Sequence, residues 1–521
     1  LRKLLIIGID GGTLDLINIF VKDGNLPLFE KFMKEGCFGE LKSTTPALTP
    51  PAWISSFTGV NPGKHNIFDF FSFDRKEKSL KLNTSLNRKY PCFWEIISQF
   101  GFKVGLYNVP CCYPVDKVEG FMVSGMTTPK NSSGFAYPEE VEKAINQNKK
   151  KKFGANSLLL EKGKREEFLK DIYKTTEIDE EIALNLIRKF NPQVMMYIFD
   201  ESDRVMHFFW RDFDENHPKH TDKTPFKNAV CDYYKRIEKG IEKFTKEFGD
   251  CDILIYSDHG FGPLYKDVYV NRLLWEWGYL KINQYAKEFA QKPFYKRVLK
   301  SAIPPQIRKF YREKIKPSPL ANPLGYIDFQ NSKAVYTSVS GRSIIILDEE
   351  NKEKIKRELK EKLENYIDKE TKIKPFKQVF AKEEIYSGDY AQNAPDLVIE
   401  EDGRYAFKTE WSLCEIKDSS QYGAVKSGSH REKGFFILNG KSFEKGRKIE
   451  NAEIVDICPT ILYFLGVPLG TEMDGKVLAE CFKEKKESKF QKYSHLRSGE
   501  KRDSDIDEEE IKEKLKNLGY M

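Results

Sequence analysis

Histidine is scarce in this chain, seven in 521 residues, and none of the nine cysteines belongs to a CxxC pair. Scattered cysteines exclude a thiolate zinc site and a disulfide framework, and they point to a reducing compartment. No apolar run approaches the ~18 residues that a membrane span requires. The longest stretches, Leu4–Ile9, Ile253–Tyr256 and Ile457–Val467, are short or interrupted. No leader pattern of charge, apolar core and small-residue cleavage site precedes the first apolar run, so the expected location is the cytoplasm. Internal repeats are lacking as well. Disorder is excluded because 40% hydrophobic and 13% aromatic content can build a sizeable core. Charge is nearly balanced: 86 basic against 79 acidic residues leave +7, a slight lean toward anionic substrates or surfaces.

What is present is a recurring design. Leu4–Ile9 is apolar without alternation and ends in Asp10 and two glycines. Such a run fits a strand buried on both faces, as in a parallel sheet. "VMMYIF" runs into Asp200, and "DILIYSDHG" ends in Asp258 and His259. "KVGLYNVP" and "FMVSG" read as further strands, with helical patterns at Glu177–Lys189 and Val230–Phe248. Alternating strands and helices predict an α/β sandwich, a mostly parallel sheet between helical layers. Ligands of such sheets sit at the strand carboxyl ends, where these acidic residues fall.

The pattern divides the chain into a first catalytic-core part (1–261), an inserted cap (262–428) with strands free to rejoin the core sheet, a last core part (429–482) and a charged tail (483–521) with a short helix. Within the cap, two short strands are expected over Ala334–Leu347, a charged helix over Glu349–Lys369 and a strand in "APDLVIEE".

Three of the few histidines stand beside carboxylates. His207 follows Asp203 by four residues, so on a helix both share one face and can grip one ion. Asp258 and His259 adjoin at a strand end, Asp10 closes another, and His430 lies in the loop-like "GSHREKG" before a strand. Three carboxylates, three imidazoles and no thiolate suit Zn²⁺ or Mn²⁺. Thr49 precedes an apolar helical stretch, where a hydroxyl activated by a cation can attack and the helix N-terminus favours an anion. Each residue also has a plain structural reading. Asp10 and Thr49 can serve as helix caps, and Asp203/His207 as a surface pair. His65 reads as structural, His217 and His220 as members of a hydrophilic loop, and Lys149–Lys152 as a solvated loop.

Taken in order, "GIDGG", "TPALTPPAWISSFTGVNPGKHNI", "DRVMHFFW", "SDHGFGP" and "GSHREKG" resemble the alkaline phosphatase superfamily, in particular its type I phosphodiesterase/nucleotide pyrophosphatase branch and the phosphohydrolase/phosphomutase relatives. "NAPDLVI" and "EIVDICPTILYFLGVPLGTEMDG" extend the likeness to about residue 482, and "KLKNLGYM" resembles that branch's ending. The resemblance implies an alkaline-phosphatase-like three-layer sandwich and two divalent ions, zinc first and manganese second. Asp203, His207 and His430 would hold one ion; Asp10, Asp258 and His259 would hold the other, with Thr49 bound to it as nucleophile. It implies hydrolysis of a phosphodiester, pyrophosphate or phosphomonoester through a phospho-threonine. The partner would be an anionic phosphate-ester small molecule. Alternatives are a phosphomutase or phospho-headgroup transferase, and a metal-binding scaffold with little catalysis. No C/S-x-P-x-R pattern follows Thr49, which excludes a formylglycine sulfatase, and the serine segment of the cofactor-independent phosphoglycerate mutases is lacking. Pro50 has no N–H, so another group must hold the phosphoryl oxygens; Arg204, Lys64 and a deeper backbone amide are the candidates.

One segment stands apart. Residues 286–316 hold ten Lys/Arg against two Glu, +8, interleaved with aromatic and aliphatic residues at helical spacing. It reads as a helical hairpin with a solvated face, a lid selecting anionic substrate, or a contact with an anionic membrane. No nucleic-acid-binding motif accompanies it.

Overall fold

The computed structural model describes residues 2–129, 132–148, 151, 153–284, 324–337, 342–419 and 426–494. The basic segment 286–316 and the expected C-terminal helix lie outside these residues. A nine-stranded sheet forms the centre, in the order Arg447–Glu453, Gly36–Lys42, Lys433–Asn439, Asp252–Tyr256, Leu4–Ile9, Val194–Phe199, Val104–Val109, Gly120–Ser124, Ala136–Tyr137. Seven strands run one way; Lys433–Asn439 and Ala136–Tyr137 run against them.

Full burial of Leu4–Ile9 explains its unbroken apolar character. Leu4 and Ile6 face one layer, against the helices Thr49–Thr58, Phe93–Gln99 and Ile457–Leu465. Leu5, Ile7 and Ile9 face the other, against Leu14–Lys22, Pro27–Glu35, Arg165–Phe190 and Ala229–Phe248. A side-chain period of two on a sheet covered on both sides produces this split. The result is the expected three-layer sandwich.

Register brings the acidic strand ends together. Ile9 pairs with Phe199 and Gly8 with Tyr256, so Asp10, Asp200 and Asp258 emerge side by side at the carboxyl edge. The reversed strand Lys433–Asn439 begins at that same edge, because Phe436 pairs with Tyr256. A residue just before a reversed strand therefore arrives where residues just after parallel strands do. His430 occupies that position, within a short strand, Gly428–Arg431, rather than the expected loop. That strand pairs antiparallel with Gly260–Pro263 and sets His430 opposite Phe261.

Among the described residues of 264–427, no strand joins the central sheet. They form a three-stranded sheet and a four-stranded one in the order Ala334–Tyr336, Ser343–Ile346, Leu397–Glu401, Phe376–Ala381. The helix Lys352–Glu364 and a separate apolar cluster that includes Ile344, Leu359 and Phe376 back the four-stranded sheet. No helix among the described residues is long and apolar enough to cross a membrane.

Candidate active site

Asp10 follows a strand whose chain must turn at once; Gly11 makes the turn with φ at +71°, a conformation that costs a residue with a Cβ ~1 kcal/mol or more. The turn aims the Gly11 N–H at Asp258 Oδ1, 3.1 Å away, tying two strand ends together. Ser43 Oγ donates to the Asp258 carbonyl at 2.6 Å, and Ser202 Oγ to the Asp10 carbonyl at 2.7 Å, so both backbones are fixed. Neither acid caps a helix: the N-cap of Leu14–Lys22 is Thr13.

Thr49 is the first residue of the helix Thr49–Thr58, whose N-cap is Leu48, so its hydroxyl is not spent on capping. It is fully buried, with Oγ1 3.3 Å from His259 Nε2. Pro50 and Pro51 lack N–H groups, leaving Thr49 the only amide among the helix's first three residues. One turn on, Trp53 presents Nε1 to Asp10 Oδ2 at 3.3 Å. The spacing of four residues from Thr49 was a legible signal for Trp53.

The helix Glu201–Phe213 carries Asp203 and His207 on one face, with His207 Nε2 3.3 Å from Asp203 Oδ1. His430 Nε2 lies 3.1 Å from the same oxygen and 3.2 Å from His207 Nε2. His259 Nε2 is 3.2 Å from Asp258 Oδ2 and 3.6 Å from Asp10 Oδ1. The His259 and His430 rings stack with centroids 3.7 Å apart, which joins the two groups into one cluster. All six predicted ligands and Thr49 thus converge. The ligand atoms of Asp10, Asp258 and His259 lie within 4.8 Å of one another, as do those of Asp203, His259 and His430.

The opposite ring nitrogens meet backbone carbonyls: His207 Nδ1 at Gly428 O (2.7 Å), His259 Nδ1 at Gly260 O (3.1 Å) and His430 Nδ1 at Ala47 O (3.3 Å). A carbonyl can only accept, so each neutral ring carries its proton on Nδ1 and turns the Nε2 lone pair inward. Burial holds all three imidazoles well below their usual range. Burial, reinforced by neighbouring carboxylates, pushes Asp10 well above the usual carboxylate range, and burial does the same to Asp258. Asp10 Oδ1 and Asp258 Oδ2 are buried and accept no hydrogen bond. Orphaned acid oxygens beside inward lone pairs are the arrangement that divalent cations satisfy, so the donor set fits the metals the sequence implied.

Of the three candidates for holding phosphoryl oxygens, the two side chains have partners elsewhere. Lys64 binds Asp474 Oδ1 at 2.5 Å and the Glu472 carbonyl at 2.8 Å. Arg204, 1% exposed, pairs with Glu201, and its guanidinium packs so close to Gly154 that a Cβ there would clash. His65 bonds Ser55 Oγ at 2.9 Å, a structural role as read. His217 does lie in the polar loop expected for it but is buried, with Nε2 2.9 Å from the Leu264 carbonyl and its ring 5.1 Å from that of Tyr265, which corrects its reading as a solvated residue. Asp200 is claimed by Asn108 Nδ2 at 2.7 Å. Sequence reasoning missed Arg342, which reaches from the four-stranded sheet to donate to the Ala47 carbonyl at 3.0 Å. A cavity of about 640 Å³ opens beside His430, lined also by Ala47, Phe261 and Arg342.

A search of curated proteins returns no match. Among solved structures, murine ectonucleotide pyrophosphatase/phosphodiesterase 5 superposes with a TM-score of 0.51 at 13% identity, covering 89% of this chain and 95% of that one. Phosphonoacetate hydrolase from Sinorhizobium meliloti, in complex with phosphonoacetate, gives 0.52 at 13%, covering 88% and 94%. An inactive threonine-to-alanine form of the murine protein in complex with AMP gives 0.50 at 13%, covering 90% and 96%. These likenesses establish the alkaline-phosphatase-like fold. Residues 4–430 match the family of type I phosphodiesterases/nucleotide pyrophosphatases. Because that match spans most of its length, this protein belongs to the type I phosphodiesterase/nucleotide pyrophosphatase family of the alkaline phosphatase superfamily, and is a metal-dependent phosphoric ester hydrolase.

Proposed function

We propose that the protein hydrolyses a phosphodiester or pyrophosphate bond of a small anionic substrate through a covalent phospho-threonine at Thr49. The observation that carries this reading is the buried Thr49 hydroxyl at the positive end of its helix, 3.3 Å from His259 Nε2, which itself lies 3.2 and 3.6 Å from the orphaned oxygens of Asp258 and Asp10. Asp10, Asp258 and His259 would hold one ion near Thr49, and Asp203, His207 and His430 the second, with zinc the better fit to this mixed nitrogen and oxygen set and manganese next. When bound, such ions lower the pKa of a hydroxyl and neutralise charge on the attacking and leaving oxygens.

Thr49 Oγ forms a bond to phosphorus as the substrate's leaving oxygen departs with its electron pair. Water then attacks the phospho-threonine, releases phosphate or a phosphomonoester, and restores the hydroxyl. Trp53, through Nε1, positions Asp10, and Gly11 positions Asp258. The solved relative that is inactive as a threonine-to-alanine form supports a threonine in this role. The core of 1–261 with 429–482, and the cap of 262–428, belong to the same proposal, with the cap bordering the cavity through Arg342. So does a cytoplasmic location, which nine free cysteines support.

Thr49→Ala is the test. Turnover of bis(4-nitrophenyl) phosphate by the zinc-loaded protein should fall by at least ~10³-fold with metal content unchanged. Full activity in that variant rules out the covalent threonine. Adding an acceptor alcohol distinguishes hydrolysis from transfer, since a transferase forms a new ester.

A further inference from the structure

The strand Gly428–Arg431 orients two ligands of one proposed ion. It carries His430 itself, and its Gly428 carbonyl meets His207 Nδ1 at 2.7 Å. Just ahead of it, the Ser427 N–H donates to the His207 carbonyl at 2.8 Å. Gly428 runs so near the helix Glu201–Phe213 that a Cβ there would lie 2.4 Å from the Met206 carbonyl. Yet this strand pairs with Gly260–Pro263 alone, and Pro263, opposite Gly428, has no N–H to give. A two-stranded pairing this short has little stability of its own.

Arg431 supplies a tie across the pair. Its Nη2 donates to the Pro263 carbonyl on one strand at 2.6 Å. Its Nη1 donates to the Ser429 and His430 carbonyls on the other, at 3.2 and 2.9 Å. The guanidinium lies in a slot between two glycines. A Cβ on Gly262 would come within 2.6 Å of Nε, and one on Gly403 within 2.2 Å of Cζ. Neither glycine has a positive φ, so room for the guanidinium, not backbone conformation, calls for glycine at both places. Gly403 follows the strand Leu397–Glu401 of the inserted region, whose Glu401 and Asp402 lie within electrostatic reach and answer the charge.

Resting on the assignment of His430 as a metal ligand, we propose that Arg431 is a positioning residue: it staples Gly428–Arg431 to Gly260–Pro263 and to the inserted region, and so holds His430 and His207 in ligating geometry. The other ion needs it less, because Ser43, Ser202 and Gly11 already fix Asp258 and Asp10. Charge and position act here with opposite signs. A guanidinium beside a cation site repels the ion. Its removal therefore tightens zinc binding if charge dominates and loosens it if position dominates.

Stepwise zinc affinities of the full chain, read by competition with a chromophoric chelator, test this. Arg431→Ala should weaken the second zinc by ~10-fold or more and the first by less than ~threefold, in line with the loss of a group that orients a ligand. Arg431→Lys keeps the charge without the planar fork that reaches both strands, and should lie nearer the alanine variant than the wild type. Guanidinium chloride at low-millimolar concentration should restore much of the second-site affinity of Arg431→Ala, whose slot is left open, while equal sodium chloride should not. Gly403→Ala keeps the arginine but fills the slot; it should show the same selective loss, and it carries the test if Arg431→Ala does not fold. A second zinc bound as tightly as in the wild type, or more tightly, overturns the proposal, and so does an equal loss at both sites. His430→Ala separates this from the reading beneath it. If that variant still binds two zinc ions with unchanged affinities, the ligand assignment has failed. Hydrogen exchange then decides on the staple alone: faster exchange of residues 428–431 in Arg431→Ala supports it, and unchanged exchange refutes it.

Discussion

His207 Nε2 and His430 Nε2 face each other across 3.2 Å while their Nδ1 atoms meet the carbonyls of Gly428 and Ala47. Two lone pairs at that separation repel unless a cation lies between them and Asp203. His430→Ala should therefore lower the zinc bound per chain from about two to about one, with the Asp10 side still occupied. Inductively coupled plasma mass spectrometry on dialysed protein measures this; unchanged stoichiometry would reject the assignment of His430 as a ligand.

Trp53 touches Asp10 through one weak hydrogen bond, Nε1 to Oδ2 at 3.3 Å, and its ring stacks on Phe57. Trp53→Phe keeps most of the packing and removes the donor. Groups that orient a metal ligand typically contribute 10- to 100-fold in metal affinity, so one of the two zinc sites should weaken by roughly that factor. Competition with a chromophoric chelator reads the two affinities; an equal loss at both sites would mean that the ring acts through general packing.

Much of this site could be read in the chain itself. Asp10, Asp258 and His259 follow unbroken apolar runs, and a parallel sheet delivers such residues to one edge. Asp203 and His207 are one helical turn apart, a local relation. His430 was harder, because its arrival depends on the reversal of Lys433–Asn439, which hydrophobic pattern does not encode. The surroundings of Lys64 and Arg204 are hidden from the local sequence for a related reason. The partner of Lys64 lies 410 residues away at Asp474, and Arg204 is sealed beside Gly154. Periodicity gives the element and its buried face; it does not say which distant side chain meets a given charge. Arg342 carried no local signal at all, since only the packing of the inserted sheet against Ala47 gives it meaning.

Gly8 sits where Leu4–Ile9 passes under Trp53, and a Cβ there would come within 2.6 Å of the indole and 2.8 Å of Ile198. Gly8→Ala should destabilise the fold by ~1–3 kcal/mol through overpacking, visible as a lower urea midpoint at unchanged slope. Trp53→Phe in the same chain should recover part of that loss, because the clashing atoms belong to the indole's outer ring; strictly additive effects would show that Ile198 is the true obstacle.

His65 supplies a pH test away from the metal ligands. Its ring is fully buried, bonded to Ser55 Oγ at 2.9 Å, and burial with help from the Arg88 charge lowers it from 6.5 to about 3. The unfolded chain then binds a proton that the folded chain refuses between about pH 6.5 and 3, so stability falls as pH falls through that window and is intact above it. The slope is at most ~1.4 kcal/mol per pH unit from this one group. His65→Gln removes the titration while keeping a polar partner for Ser55. It should cost stability at pH 7 yet flatten the decline between pH 6 and 4 relative to the wild type, as measured by urea unfolding of the metal-free protein. Because the buried metal-site histidines contribute equally to both chains, the difference between the two curves isolates His65; parallel curves across that range would place its proton affinity near that of a free imidazole.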